Sequence, residues 1–189
     1  MSAKHPVIAV TGSSGAGTTT VKRAFEHIFL REEINPVTIE GDSFHRYNRA
    51  EMRDMVKKAE AGGNKHFSHF GADANLFEKL EEMFKTYGEN GGGKKRYYLH
   101  SEEEAAEHNK RLGTGLKPGE FTPWEDIPSG TDMMFYEGLH GLVVHDKINM
   151  AQYVDLGVGV VPIVNLEWIQ KIQRDNKERG YTPEVIVDT

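Results

Sequence analysis

The stretch Val7-Ile8-Ala9-Val10-Thr11-Gly12-Ser13-Ser14-Gly15-Ala16-Gly17-Thr18-Thr19 decides the fold class. Its first four residues are an unbroken apolar run, which is typical of a strand covered on both faces of a parallel sheet. The part from Gly12 to Thr19 matches the phosphate-loop pattern G-x-x-x-x-G-x-[ST], with Thr18 where lysine usually stands. Apolar residues at helical spacing then predict a helix from Thr18 to Arg31. Strand, glycine turn and helix in this order predict an α/β fold with a mostly parallel sheet flanked by helices.

A loop of this kind binds phosphate through backbone N–H groups and through the positive end of the following helix. We therefore predict that the nucleotide phosphates lie on the segment Gly12, Ser13, Ser14, Gly15, Ala16, Gly17, Thr18, Thr19 and Thr20. The hydroxyl of Thr19 is expected on the Mg²⁺ that accompanies ATP. Because Thr18 replaces the usual lysine, another part of the chain must supply a positive charge.

A dinucleotide-binding fold is the main alternative for this loop. Thr11-Gly12-x-x-Gly15-x-Gly17 is close to the glycine turn of short-chain reductases, and Glu40 or Asp42 stands where a ribose-binding acid belongs. The glycine spacing is G-x-x-G-x-G, however, and no tyrosine has a lysine four residues later. These two observations favour the phosphate loop.

Further elements are predicted from hydrophobic periodicity along the chain. Core strands are expected at 36–39, 133–137 and 156–161, and an edge strand at 96–100. Helices are expected at 49–61, at 73–87 and at 165–178, the last ending at Gly180. The acidic stretch 102–107 and residues 113–130 are interpreted as surface excursions. The predicted inward-facing residues are Leu76, Leu80, Met83, Phe84 and Tyr87 in the second of these helices and Leu166, Ile169 and Ile172 in the third.

Composition limits the classes of function. The chain has 189 residues, a formal charge of −6 and no cysteine, which excludes disulfides and cysteine-based metal sites. An acidic chain is a poor candidate for nucleic-acid binding, and no apolar run is long enough for a membrane span. We expect a cytoplasmic protein without a signal peptide and one domain over residues 1–189. The helix start Thr182-Pro183-Glu184, so close to the last residue, leads us to expect that the protein continues beyond residue 189.

Two carboxylates follow predicted strands, at the edge of a parallel sheet where ligands bind. Asp42, in Glu40-Gly41-Asp42-Ser43, is the candidate general base; the alternative is an acid that caps a turn. Glu137 ends a strand rich in aromatic residues and is the candidate carboxylate for Mg²⁺; the alternative is again a capping role.

Candidate cations lie on the predicted C-terminal helix. Lys171, Arg174 and Asp175 are spaced to share one face, and Arg174 could compensate for Thr18 as part of a lid. A solvated charged face is the alternative. A second basic cluster, His45, Arg46, Arg49 and Arg53, indicates an acceptor that is itself anionic.

Several runs resemble the bacterial-type phosphoribulokinase family. They are Val10 to Thr19, Ile39 to Arg46, Phe67 to Phe70, Phe135 to Gly141 and Val160 to Ile172. This family also carries threonine at the lysine position of the loop. The resemblance implies a P-loop kinase fold and ATP- and Mg²⁺-dependent phosphorylation of D-ribulose 5-phosphate to D-ribulose 1,5-bisphosphate, a reaction of the Calvin cycle.

The same resemblance implies roles for individual residues. Asp42 is implied to be the base, Glu137 the acid at Mg–ATP, and Lys171 and Arg174 the cations on the transferred phosphate. Residues implied to handle the sugar phosphate or its lid are His45, Arg49, Arg53, Tyr98, His100, Asp175 and Arg179. Arg31 matches a position linked to effector control, since bacterial members are NADH-activated, AMP-inhibited homo-octamers. Family members continue past residue 189, so oligomerisation and regulation of a chain ending there are open.

Two other functions remain open from the sequence. A uridine- or pantothenate-kinase-like enzyme would share the loop but would have no acceptor phosphate to neutralise, which the basic cluster disfavours. A nucleotide-binding regulator without turnover would be favoured if Asp42 pointed away from the cleft.

Overall fold

The computed structural model describes residues 4–145, 147–179, 182, 183 and 186, and the side chains of Glu178 and Arg179 lie outside this description. Three short 3₁₀ helices cover Gly41–Phe44, Ala72–Ala74 and Met150–Tyr153. The helices are α1 (Thr18–Arg31), α2 (Arg49–Ala61), α3 (Phe77–Asn90), α4 (Glu102–Leu112) and α5 (Val164–Arg179). The strands are β1 (Val7–Gly12), β2 (Pro36–Glu40), β3 (Lys94–Lys95), β4 (Glu125–Asp126), β5 (Met133–Gly138), β6 (Val144–His145), β7 (Ile148–Asn149) and β8 (Leu156–Val160).

A four-stranded parallel sheet in the order β2-β5-β1-β8 forms the centre of the fold. The register aligns Glu137 with Val10 on one side and with Glu40 on the other. All four strands therefore end at the same edge, which is where an open parallel sheet binds its ligands. The predicted α/β class with a mostly parallel sheet is confirmed.

The two faces of this sheet are covered by different helices. Alternate strand residues point to opposite faces, so Val10 and Phe135 pack with Phe29 of α1. On the other face Tyr136 packs with Phe84 of α3, at 5.3 Å between ring centroids. Both aromatic rings of this second pair are fully buried, and burial of side chains this large is a main contribution to stability. The core thus fixes the position of β5, which carries Glu137.

The region from residue 94 to residue 126 differs from prediction. The expected edge strand 96–100 is replaced by the two-residue pair β3–β4 and a single bridge between Tyr98 and Phe121. The acidic stretch 102–107 is the start of helix α4, not a surface excursion. Ser101 caps this helix by accepting from the N–H of Glu104, and three acids in the first turn suit the helix dipole. No helix in the described ranges is long and apolar enough to cross a membrane.

The C-terminal elements are more exposed than predicted. Strand β8 was expected in the core, but among the described residues it pairs only with β1, and Leu156 is 48% exposed. Leu166 and Ile169 of α5 were expected to face inward and are 43% and 53% exposed. The expected helix end at Gly180 lies outside the described residues. Helix α3 begins at Phe77, after a 3₁₀ turn, and buries Leu80, Met83, Phe84 and Tyr87 as predicted, with Leu76 partly buried.

Candidate active site

The phosphate loop has the backbone that the glycine pattern requires. Gly15 and Gly17 adopt φ angles of +92° and +97°, which side-chain-bearing residues rarely adopt. Gly17 is the N-cap of α1 and no side chain caps this helix. The loop and the uncapped first turn of α1 are therefore available to an anion such as a nucleotide phosphate.

Helix α5 packs directly on this loop. A Cβ on Gly15 would lie 3.2 Å from the carbonyl oxygen of Glu167 and 3.2 Å from the Cβ of Lys171, so glycine permits this close approach. The Nη2 of Arg174 donates to the hydroxyl of Ser14 at 2.9 Å, and its Nε donates to Asp175 at 2.8 Å. Arg174 is therefore beside the phosphate loop, and a purely solvated face is the wrong description of this residue.

A cleft of about 360 Å³ lies beside this contact and is lined by residues of both the loop and α5. Lys171 lines it, with its Nζ 5.4 Å from the centre of the Trp168 ring, together with Ser13, Ser14, Phe70, Leu139 and Glu167. Asp175 is buried and its carboxylate accepts from Arg174. Asp175 thus orients the Arg174 side chain beside the phosphate loop. The side chain of Arg179 lies outside the described residues.

Glu137 lies at the centre of the sheet edge, next to the start of α1. Burial raises the pKa of Glu137, and the hydrogen bond from the Thr18 hydroxyl and the charge of Lys22 only partly oppose this. The charges of Glu40 and Asp42 raise it further. The negative charges of Glu40 and Asp42 therefore reach Glu137 at this edge.

Lys22 neutralises part of this negative charge. Its Nζ donates to Glu40 at 2.8 Å, with the two side chains 18% and 33% exposed. Burial lowers the pKa of Lys22, but the Glu40 carboxylate and the charge of Glu137 outweigh burial, so the pKa is raised. Lys22 lies one helical turn after Thr18 on α1. A positive charge is therefore present one turn beyond the position at which the usual phosphate loop carries its lysine.

Asp42 lies in the 3₁₀ turn that follows β2 and contacts a group of rings. His45 Nε2 is 3.3 Å from Asp42 Oδ1, and His100 Nε2 is 3.7 Å from Asp42 Oδ2. The side chain of Asp42 is 45% exposed, whereas His45 is buried. Tyr98 joins this group, with ring centroids 6.2 Å from His45 and 4.9 Å from His100. The predicted substrate residues His45, Tyr98 and His100 are thus brought together around Asp42.

The half-buried Arg96 and the fully buried Tyr136 fix the backbone that presents Asp42. Arg96 donates to the carbonyl oxygens of Ser43 and His45, both at 2.7 Å, and stacks 3.7 Å above the Phe121 ring. Burial lowers the pKa of Arg96 to about 10. Tyr136 is fully buried, and its hydroxyl accepts from the N–H of His140 at 3.3 Å beneath the turn at Gly41.

The other predicted residues are more peripheral. Arg49, exposed at the start of α2, donates to the carbonyl of His100 at 3.4 Å. Arg53 lies on the next turn of α2 and is exposed. Arg46, which was grouped with them, instead donates to the carbonyls of Asp73 and Asn75 and anchors that loop. Arg31, the proposed effector residue, is at the far end of α1, where it pairs with Glu32 and is 75% exposed.

Sequence reasoning missed Lys22, Arg96 and Asn75. Lys22 could have been found, because a lysine at i+4 from Thr18 shares its helix face. Arg96 and Asn75 lie in irregular segments, and their contacts with the Asp42 turn join residues 30 to 53 positions apart. No periodic signal reports such contacts.

The residues at this edge fit a Mg²⁺ ion. Mg²⁺ takes oxygen ligands and binds through one or two protein groups together with phosphate oxygens. Glu137 offers a carboxylate and Thr19 an exposed hydroxyl in the first turn of α1, although it is Thr18 that bonds Glu137. Within the described ranges, no three His, Cys, Asp or Glu side chains converge as a metal cluster.

Known proteins match this chain over nearly its whole length. The model of the phosphoribulokinase / uridine kinase family matches residues 7–189. The chain is 58% identical over 189 residues to the plasmid phosphoribulokinase of Cupriavidus necator and 57% identical over 186 residues to the phosphoribulokinase of Nitrobacter vulgaris. These alignments cover 100% and 98% of this chain and 63% and 62% of the relatives, so the chain spans somewhat less than two thirds of their length.

Solved structures show the same relationship. The phosphoribulokinase from Rhodobacter spheroides is similar with a TM-score of 0.81 and 48% identity, over 98% of this chain and 61% of that one. A fructose transport system kinase from Silicibacter, at 14% identity and a TM-score of 0.66, shares the fold. On the match over residues 7–189 and on these identities, the chain belongs to the phosphoribulokinase / uridine kinase family.

Proposed function

We propose that this chain is the catalytic part of an ATP-dependent kinase that phosphorylates ribulose 5-phosphate to ribulose 1,5-bisphosphate, a reaction of the Calvin cycle. One observation carries the proposal: the phosphate loop, Glu137 and the Asp42 turn share one edge of the parallel sheet. A nucleotide and an acceptor hydroxyl can meet only where phosphate binding and a base lie side by side. We further propose that the residues form one kinase domain.

In this proposal the loop holds the phosphates of ATP and Asp42 activates the acceptor. The acceptor hydroxyl attacks the γ-phosphorus, its proton passes to the Asp42 carboxylate, and the bond to the bridging oxygen of ADP breaks. Arg174 and Lys171 place positive charge beside the loop, where negative charge must be stabilised during transfer. Glu137 and Thr19 would hold Mg²⁺ together with the nucleotide, and the ion would neutralise further charge on the phosphate oxygens.

The cations near Asp42 support a phosphorylated acceptor. Burial lowers the pKa of His45, but the hydrogen bond and charge of Asp42 and the hydrogen bond to Asn75 together outweigh burial, so the pKa is raised and the cationic form is favoured. Arg49 lies at the rim of the same group through its contact with the His100 carbonyl. Relatives identical to this chain at more than half of the aligned positions carry the name phosphoribulokinase. A uridine-type acceptor would leave these cations without a phosphate.

The experiment compares the parent chain with Asp42→Asn and, as a matched control, Asp126→Asn. Asp126 undergoes the same chemical change on an exposed strand, paired only with Lys94 among the described contacts. ADP release from Mg–ATP with ribulose 5-phosphate is measured, together with ATP binding by calorimetry. We expect turnover to fall on the order of 10³-fold in Asp42→Asn with ATP affinity kept, and to be unchanged in Asp126→Asn.

Equal turnover in the two variants would contradict the role of Asp42. Each variant is also measured in a chimera in which this chain replaces the matched residues of the Cupriavidus necator relative. An inactive parent in both forms, with ATP bound, would contradict the proposed reaction.

A further inference from the structure

Asn75 is a buried side chain with a fixed orientation next to His45, the ring that contacts the proposed base. It is 2% exposed. Its Nδ2 donates to the carbonyl oxygens of His69 and Gly71 at 2.8 and 2.7 Å. A flipped amide would place its oxygen against these two carbonyl oxygens and would lose both hydrogen bonds. The amide oxygen Oδ1 therefore faces His45.

This orientation decides which ring nitrogen of His45 carries a proton. His45 Nδ1 lies 2.8 Å from Asn75 Oδ1, which can only accept, so Nδ1 is protonated. On the other side of the ring, Nε2 lies 3.3 Å from the Asp42 carboxylate, which also accepts. Both ring nitrogens thus face acceptors. A neutral ring would turn one lone pair toward an oxygen.

We propose that Asn75 is a positioning residue that holds His45 as an imidazolium ion against Asp42. Its consequence for catalysis rests on the proposed function: the imidazolium fixes one oxygen of the base and places a positive charge beside the acceptor. The pair is half-enclosed, because His45 is 8% exposed whereas the Asp42 side chain is 45% exposed. A hydroxyl group can therefore reach Asp42, and the ring behind it is shielded from water.

The other charged or titratable groups around His45 come from several elements. The His69 ring lies 4.6 Å from the His45 ring on the loop before Asn75, and Tyr98 lies 6.2 Å away. Arg96 donates to the His45 carbonyl, and its positive charge lowers the pKa of the His45 ring. His140 also interacts electrostatically with the ring. Asp42 is the negative charge in contact, and its effect exceeds that of Arg96 because the pKa of His45 is raised despite burial.

The test is a nuclear magnetic resonance measurement of the ring nitrogens. Long-range ¹H–¹⁵N spectra of the ¹⁵N-labelled protein contain signals from nine histidines, and the spectrum of His45→Gln identifies the signals of His45. A histidine with the ordinary pKa of about 6.5 is roughly one quarter protonated at pH 7. We expect both nitrogens of His45 to show the shifts of a predominantly protonated ring at this pH. A predominantly neutral His45 would overturn the proposal.

Two substitutions separate positioning from simple support of the loop. Asn75→Leu removes the acceptor and should lower the pKa of His45. Asn75→Asp places a carboxylate at Nδ1 and should raise it, although both changes remove the donors to His69 and Gly71. Ser68→Ala, which removes the 3.4 Å bond to the N–H of Phe70 in the same loop, should leave the pKa unchanged. Shifts of the same sign in both Asn75 variants would contradict positioning.

Turnover gives a second, independent result. If His45 acts as an imidazolium, kcat should decline at high pH, and this decline should move to lower pH in Asn75→Leu and to higher pH in Asn75→Asp. An unmoved pH profile would refute the catalytic consequence. The nitrogen shifts are read without substrate, so they decide the protonation of His45 even where no phosphoryl transfer is observed and the proposed function fails.

Discussion

Gly41 connects the core of the fold to the proposed base, and Gly41→Ala tests that connection. A Cβ at this position would lie 2.5 Å from the hydroxyl oxygen of Tyr136 and 3.0 Å from the Cα of Gly138. Ordinary contacts begin near 3.4 Å, so the turn must move by nearly 1 Å. Tyr136 cannot yield easily, because it is fully buried and packs against Phe84.

The size of the effect follows from this clash. Overpacking of this kind costs about 1–3 kcal/mol, which corresponds to a decrease of about 2–12 °C in Tm for a chain of this length. Asp42 follows Gly41 directly, and a displacement of about 1 Å in a catalytic group lowers turnover on the order of 10²-fold. We therefore expect Gly41→Ala to lose both stability and activity.

The assay uses thermal unfolding and ADP release on four variants. Gly159→Ala is the matched control, because a Cβ at this strand position meets nothing within 4 Å and should change stability by less than about 0.5 kcal/mol. Tyr136→Phe alone loses the hydrogen bond from His140 and should cost about 1 kcal/mol. In the double variant, removal of the hydroxyl relieves the shortest contact while the approach to the Cα of Gly138 remains, so the two changes should be less than additive by about 0.5 kcal/mol or more. Strict additivity, or a Gly41→Ala variant as stable and active as Gly159→Ala, would contradict the clash between position 41 and Tyr136.

Three further predictions concern stability and charge. Burial raises the pKa of Glu137, so the folded state disfavours the ionised carboxylate. Glu137→Gln should therefore raise the urea midpoint of unfolding at pH 8, and it should lower turnover with Mg–ATP on the order of 10²-fold. A lowered urea midpoint would contradict this prediction. Phe84→Ala removes a fully buried ring and should destabilise the fold by about 3–5 kcal/mol in urea unfolding; a loss below about 1 kcal/mol would contradict the packing. Because the pKa of His45 is raised on folding, its charge should stabilise the fold fully below pH 6.5, and this contribution should disappear as the pH rises through the folded-state pKa. His45→Gln should remove this part of the pH dependence of the free energy of unfolding. An unchanged pH dependence in His45→Gln would contradict the raised pKa.

The sequence predicted the regular part of the molecule well. The residue types from Val7 to Thr19 predict a strand, a loop and the start of a helix, and the apolar runs at β2 and β5 predict buried parallel strands. The errors lie where tertiary context decides. The exposed fraction of side chains in β8 and α5 depends on which other elements pack against them. Apolar composition alone does not predict that packing. Helix α4 was missed because its acidic first turn is stabilised by a cap and not by a wide apolar stripe.

The site divides in the same way. Asp42 and Glu137 were predicted because they follow buried strands, and parallel strands end at a common edge. Arg174 was predicted from its helix face and lies on Ser14. Asn75, in contrast, reaches His45 through a contact between residues 30 positions apart within irregular structure, where neither periodicity nor a motif carries information.

The most direct test of the proposed reaction is the identity of the phosphorylated product. The parent chain and its chimera with the Cupriavidus necator relative are incubated with Mg–ATP and either ribulose 5-phosphate or uridine, and the products are followed by ³¹P spectroscopy. We expect one ribulose 1,5-bisphosphate per ADP with the sugar phosphate, and no transfer to uridine. Transfer to uridine at an equal or greater rate, or release of inorganic phosphate alone, would contradict the proposed reaction.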